Sequence, residues 1–227
     1  MIYNILNGFG IILGAFIGRL VGHKLSKEQI SSVLIGANLA ILVIGIQGAI
    51  QTENAMLMIV SLCIGAALGT ALDIDGKFHN LGNRLQSKIK IGDPRYTSGV
   101  VQVIMMHIIG SMAIIGPVNA ALKNDGSILI FKTVLDFTST IIFSTTFGFG
   151  VALSGFVTFL YQGMIYFLAS FIAPILTPEV VNEISAIGSV LIVGLSLNLL
   201  NLKEIKISNF LPAILGPIVY YFLGLIF

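Results

Sequence analysis

Eight stretches of this chain are apolar over close to the length that crosses a bilayer: residues near 3–22, 33–51, 54–72, 99–121, 128–147, 151–174, 184–201 and 208–226. A spanning helix needs about 20 mostly apolar residues. Backbone groups in lipid must be satisfied within their own segment, and these runs lack period-2 alternation, so each is expected to be a helix. Charge is correspondingly scarce. The 12 Lys and Arg and 10 Asp and Glu make up 10% of the 227 residues, where a soluble domain carries roughly 25%. Mean hydropathy is +1.00. A soluble fold of this size could not cover its surface with so few charges, which excludes a cytosolic globular enzyme, a disordered tail and a nucleic-acid binder. The expectation is an all-α integral membrane protein, a single polytopic domain over 1–227, with the lipid bilayer as its first partner. The N-terminal run has no basic leader and no small-x-small cleavage site, and reads as a retained span. With one cysteine, Cys63, no internal disulfide can form, and neither a metal nor a cofactor is expected.

Sidedness follows from the basic residues. Arg19, Lys24 and Lys27 lie in the first connection, Lys77, Arg84, Lys88, Lys90 and Arg95 in the third, and Lys203 and Lys206 in the seventh. In an eight-span chain these connections share one side, which becomes the cytoplasmic one. Both termini are then extracytoplasmic. Within the long third connection, Ile74, Phe78, Leu81, Leu85 and Ile89 recur at helical spacing with the basic residues largely off that stripe. The pattern predicts an amphipathic helix near 74–91 lying in the cytoplasmic interface and stopped by Gly92-Asp93-Pro94.

Gly10, Gly14, Gly18 and Gly22 form a smooth face along the first span, and Gly65 and Gly69 a shorter one in the third. Such faces let membrane helices approach closely, within one chain or between two copies of a homo-oligomer. Pro117, Pro212 and Pro217 sit within spans, with Gly216-Pro217 the expected break. The pair of spans at 35–69 resembles the pair at 187–224, with Gly36, Gly45 and Gly65 matching Gly188, Gly194 and Gly216. The two pairs start on opposite sides of the membrane, as an inverted repeat relating spans 2–3 to spans 7–8 requires.

Nine of the ten carboxylates fall in connections or at their edges; Asp136 lies within a span. An acid at the centre of a spanning helix costs about 2.5–3.5 kcal/mol on insertion scales, so it faces protein or water and has a partner. Lys132 is one turn away, at the spacing of an i,i+4 pair. Thr133, Ser139, Thr140 and Ser144 extend a hydroxyl stripe past it. Asp136 is therefore either a structural carboxylate held by Lys132 or a coupling group for a proton, cation or solute. The other deep polar residues are Asn7, Asn38, Gln47, Gln102, His107, Gln162, Asn198 and Asn209. Each can serve simply as interhelical glue; Gln162 and Asn198, beside small or broken segments, rank above the rest. The candidate substrate or ion-coupling set is Asp136, Lys132, Ser139, Thr140, Ser144, Gln162 and Asn198.

The glycine ladder GIILGAFIG, the segments SLCIGAALGTALDID and GSMAIIG, the run LDFTSTIIFSTTFGFGVALSG followed by YQG, and the closing VGLSLNLLNLKEIKISNFLPAIL together resemble the bacterial YdfK/YqgA-like membrane-protein family. The family pattern has an acid where this chain has Thr70, and a Phe-Cys pair where it has His107-Ile108. The resemblance implies a bacterial plasma-membrane protein and brings no established activity with it.

Three functions compete on the residues. A small-solute or ion transporter accounts for the spans, the repeat, the buried carboxylate and the broken helices. A non-transporting scaffold or sensor subunit would use the 73–92 helix to dock a cytoplasmic partner. An intramembrane enzyme is not expected, because no HExxH, GxSxG or Cys/His cluster occurs.

Overall fold

The computed structural model describes residues 1–89 and 95–224, with side chains for all of these except 82, 83, 85–89, 95, 96 and 224. Those residues form helices α1 (Ile2–Gly22), α2 (Lys27–Ala49), α3 (Ala55–Ala71), α4 (Ile74–Ile89), α5 (Arg95–Ile108), α6 (Met112–Leu122), α7 (Ser127–Phe147), α8 (Ala152–Ile172), α9 (Pro178–Leu199) and α10 (Gly216–Gly224). Two 3₁₀ segments, Gly148–Val151 and Ile207–Leu215, lead into α8 and α10. By length and composition, four helical stretches are apolar enough to cross a membrane, or six when each bent pair counts as one.

Local chemistry sets the helix ends. Ser26 and Gln29 form a reciprocal capping box that starts α2, and Asn54 and Thr177 accept the Leu57 and Val180 amides at the starts of α3 and α9. Asp73, Asn124 and Asn201, with φ of 47°, 52° and 56°, stop α3, α6 and α9 in the left-handed conformation that short polar residues tolerate. The stretch read as one span over 99–121 is broken. Gly110, at φ 122°, separates α5 from α6, which bend by 47°. In the last stretch the chain is 3₁₀ through Pro212 and becomes α-helical at Gly216, the expected break.

Three antiparallel contacts organise the bundle. Gly45 and Gly48 of α2 meet Ser189 of α9, while Ser196 of α9 donates to the Asn38 carbonyl at 2.7 Å. Gly65 and Gly69 of α3 meet Ala213 and Asn209 of the second 3₁₀ segment, and Ser61 meets Gly216. Gly8 of α1 packs on Gly155 and Phe159 of α8, with Met1 beside Gly163. In contrast, Gly10, Gly14, Gly18 and Gly22 meet Thr133, Phe137, Ile141 and Thr145 in rising order, so α1 and α7 run parallel. It follows that α7 and α8 are antiparallel to each other and turn at Gly148, whose φ is 71°. The glycine ladder, where a second copy was expected as one option, is occupied by α7 of the same chain.

The surface is apolar, and polar side chains are buried among the apolar clusters of the interior. Phe9, Phe167 and Phe171 are 61%, 72% and 76% exposed, whereas Asn4, Asn7, Thr158 and Gln162 are each fully buried. That surface suits hydrocarbon. On α4, Phe78 packs against the core and Lys77 and Arg84 are exposed, but Leu81 is exposed as well. The side chains of Leu85, Lys88 and Ile89, together with Lys90 and the Gly92-Asp93-Pro94 stop, lie outside the described residues.

Candidate functional site

The deepest polar chemistry lies in a seam between α1, α7 and α8, closed by α5 and α6. On α1, Gly10, Gly14 and Gly18 meet α7, and Gly8 and Ile12 meet α8. At 100° per residue, Asn4 falls between these two faces and Asn7 on the side toward α7. On α8, Gly155 meets α1, while Ile165 and Ala169 pack with Val118 of α6. Gln162 stands between those contacts and Thr158 on the side toward α6. On α7, Leu129 meets Gly116 of α6, and Lys132 and Asp136 follow on the same buried side.

Lys132 Nζ lies 2.9 Å from Asp136 Oδ1 and 2.8 Å from Oδ2, both side chains being 8% exposed. Each charge therefore has its counter-charge one helical turn away. Ser139 and Thr140 donate to the Asp136 carbonyl at 3.1 and 2.6 Å, and Ser144 donates to the Ala15 carbonyl of α1 at 2.7 Å. Toward the other end of the seam, His107 Nδ1 is 3.1 Å from Ser154 Oγ and Nε2 is 3.5 Å from Ser139 Oγ. Ser154 gives its own proton to the Val151 carbonyl at 2.7 Å, which makes His107 Nδ1 the donor of that pair.

A different state holds where α1 and α8 cross. Asn4 Oδ1, both amide atoms of Asn7, Thr158 Oγ1 and both amide atoms of Gln162 are buried with no hydrogen-bond partner. Met1 beside Gly163 and Gly8 beside Phe159 put Asn4 level with Gln162 and Asn7 level with Thr158. Gly10 beside Thr133 brings Lys132 within about 3 Å of the same level along the axis. Ser154, Thr158 and Gln162, four residues apart, extend this polar column over about 12 Å.

The family model described as "Protein of unknown function (DUF554)" matches residues 2–222. The chain belongs to this family. It is 32% identical over 226 residues to "Uncharacterized membrane protein YdfK" of Bacillus subtilis (strain 168), covering 98% of this chain and 96% of that one. It is 26% identical over 215 residues to "Uncharacterized protein YqgA" of Escherichia coli (strain K12), covering 92% of each. No solved structure matches.

In this DUF554 chain the expected site residues divide. Asp136, Lys132, Ser139, Thr140, Ser144 and Gln162 line or adjoin the seam. Asn198 does not. Its amide both donates to the Ile205 carbonyl at 2.7 Å and accepts the Ile205 N–H at 2.8 Å, clamping the turn after α9. It borders a separate cavity of about 70 Å³, lined among others by Asp75, His79, Gln102 and Glu204. Thr70 accepts from Asn209 Nδ2 at 3.4 Å, and Asn209 Oδ1 accepts the Asp75 N–H at 2.9 Å. The pair ties the end of α3 and the start of α4 to the second 3₁₀ segment. Among the described residues no group of His, Cys, Asp and Glu could hold a metal ion.

Asn4, Thr158 and Glu183 escaped the sequence reading. Asn4, near the end of a span, carried no signal beyond its i,i+3 spacing to Asn7. Glu183 was placed at the edge of a connection, yet it is 1% exposed and accepts from Thr52 Oγ1 at 2.6 Å and from the Glu53 and Asn54 amides at 2.8 and 3.2 Å. Its spacing from Val180, Ile184 and Ile187 was the available signal, since all four share the buried face of α9.

Proposed function

We propose that the protein is a transporter of small solutes or ions in the bacterial plasma membrane, crossing it eight times with both termini extracytoplasmic and using the α1–α7–α8 seam as its site. The observation that carries this reading is the column of buried polar side chains inside an apolar-surfaced bundle, part of it without protein partners. Polar groups at membrane depth are costly, and in carriers they mark the substrate path.

The packing directions support eight passes. The antiparallel α7 and α8 split the 46-residue apolar stretch Ser127–Ile172 into two passes, and the short Ile207–Leu223 stretch makes a last one against α3. The basic residues then collect on one face with α4 resting there as an interfacial helix. An inverted repeat relating spans 2–3 to spans 7–8 agrees with the antiparallel packing of α2 on α9 and of α3 on the second 3₁₀ segment. Paired repeats around a midplane site are the common build of secondary transporters.

The test is flux through purified protein in liposomes, across a panel of protons, monovalent cations, anions, zwitterions and neutral polar solutes, with Asp136→Asn beside the parent. Protein-dependent flux of any panel member that falls at least tenfold in Asp136→Asn is expected. Parent liposomes indistinguishable from protein-free ones across the whole panel would refute the transporter reading.

A further inference from the structure

We infer that the α1–α8 crossing is the solute-binding part of the seam, formed by Asn4, Asn7, Thr158 and Gln162, and that it takes a small uncharged molecule bearing both hydrogen-bond donors and acceptors. This rests on the transporter reading and names its substrate class. Four side chains on two helices are fully buried and leave six polar atoms without a protein partner. Each such atom forfeits the free energy of a hydrogen bond it would have in water. Atoms at matching levels of two packed helices can be served together by one small occupant.

The chemistry of the set defines the occupant. Asn4 Oδ1, Asn7 Oδ1 and Gln162 Oε1 accept; Asn7 Nδ2 and Gln162 Nε2 donate; Thr158 Oγ1 does either. A mixed set of this kind suits hydroxyl or carboxamide groups. None of the four is charged, and Lys132 and Asp136 of α7 are paired with each other at 2.8 Å. A charged solute would enter without a free counter-charge and lose its hydration uncompensated. A neutral solute exchanges water's hydrogen bonds for those six atoms. Gly8 and Gly155 let α1 and α8 approach closely.

Stopped-flow light scattering on proteoliposomes of the full-length chain tests this with glycerol, erythritol and acetamide as the neutral probes. The parent should raise the permeability to at least one probe tenfold over protein-free liposomes. Gln162→Leu and the near-isosteric Thr158→Val should each lower that rate at least threefold while remaining monodisperse in detergent. Thr158→Val keeps the shape of the crossing, so a loss there reports the hydroxyl rather than folding. Flux confined to charged members of the panel would overturn the neutral class while leaving the transporter reading intact. A raised water permeability with no probe flux, or probe flux unchanged in both variants, would also overturn it. Absence of flux for every solute would instead remove the transporter reading beneath it.

Discussion

Replacing Gly18 with alanine tests whether the glycine ladder holds α1 against α7. A Cβ at Gly18 would run into the Ile141 carbonyl oxygen and sit 2.8 Å from Ser144 Cβ and 2.9 Å from the Ile141 carbonyl carbon. Carbon atoms pack best at about 3.5–4.0 Å, so the helices must part by roughly 1 Å. A backbone carbonyl cannot swing aside as a flexible side chain would. Overpacking of this sort costs about 1–3 kcal/mol. Parting also stretches the Ser144-to-Ala15 hydrogen bond, 2.7 Å long, a loss of about 1 kcal/mol. The gain in helix propensity of alanine over glycine returns about 1 kcal/mol. The net expectation is a loss of about 1–3 kcal/mol. Gly36 is the control, because a Cβ there meets nothing within 4 Å, and Gly36→Ala should be neutral or stabilising by up to about 1 kcal/mol. Reversible unfolding in mixed detergent micelles, followed by far-UV circular dichroism, measures both. Equal stability of Gly18→Ala and Gly36→Ala would refute the assignment of the ladder to the α1–α7 contact.

Lys132→Met leaves a buried carboxylate unpaired and should cost about 3–5 kcal/mol, whereas the double variant Lys132→Met/Asp136→Leu should recover at least half of that in the same unfolding assay. Glu183→Ala strands the Thr52 hydroxyl and the Glu53 and Asn54 amides; a loss of about 2–4 kcal/mol and faster proteolysis of the 50–54 connection are expected. Asn198→Ala removes both bonds to Ile205 and should lower stability by about 1–2 kcal/mol without changing the parent's flux. The exposed Asp125 carboxyl is held below its ordinary pKa mainly by the Ser127 N–H it accepts at 2.9 Å. Its contribution is therefore present at neutral pH and lost as pH falls through that depressed pKa, which hydrogen exchange of the Ser127 amide reads as loss of protection.

Hydropathy made the helices legible because lipid leaves the backbone no alternative to internal hydrogen bonding. Among the described residues each of the eight apolar stretches is helical over most of its length, and the glycine ladder found a close neighbour. What it could not give was the break at Gly110. Glycine in an apolar run serves close packing and chain bending alike, and only the backbone angle tells the two apart. Glu183 was misjudged for a related reason. Starting the seventh stretch at 184 left the acid outside, but Thr177 and Pro178 begin the helix two turns earlier. The helix start signal was present in Thr-Pro-Glu; hydropathy outweighed it.

The contrast between Asp136 and its neutral neighbours bears on how such sites are found. A lone acid in a span draws attention because its insertion cost is the largest on the list. Here that cost is met largely within α7 itself, by a lysine at i−4, and the same feature that made the acid conspicuous also made it self-sufficient. The amides and hydroxyl of Asn4, Asn7, Thr158 and Gln162 cost less apiece to bury, so they ranked low or went unnoticed in the sequence. Yet none of their six unpartnered atoms is bonded within its own helix, although Asn4 and Asn7 stand at i,i+3 and Thr158 and Gln162 at i,i+4. Uncompensated polarity, rather than formal charge, marks the α1–α8 crossing, and it marks Asn38 of α2 and Ser61 of α3 by the same measure.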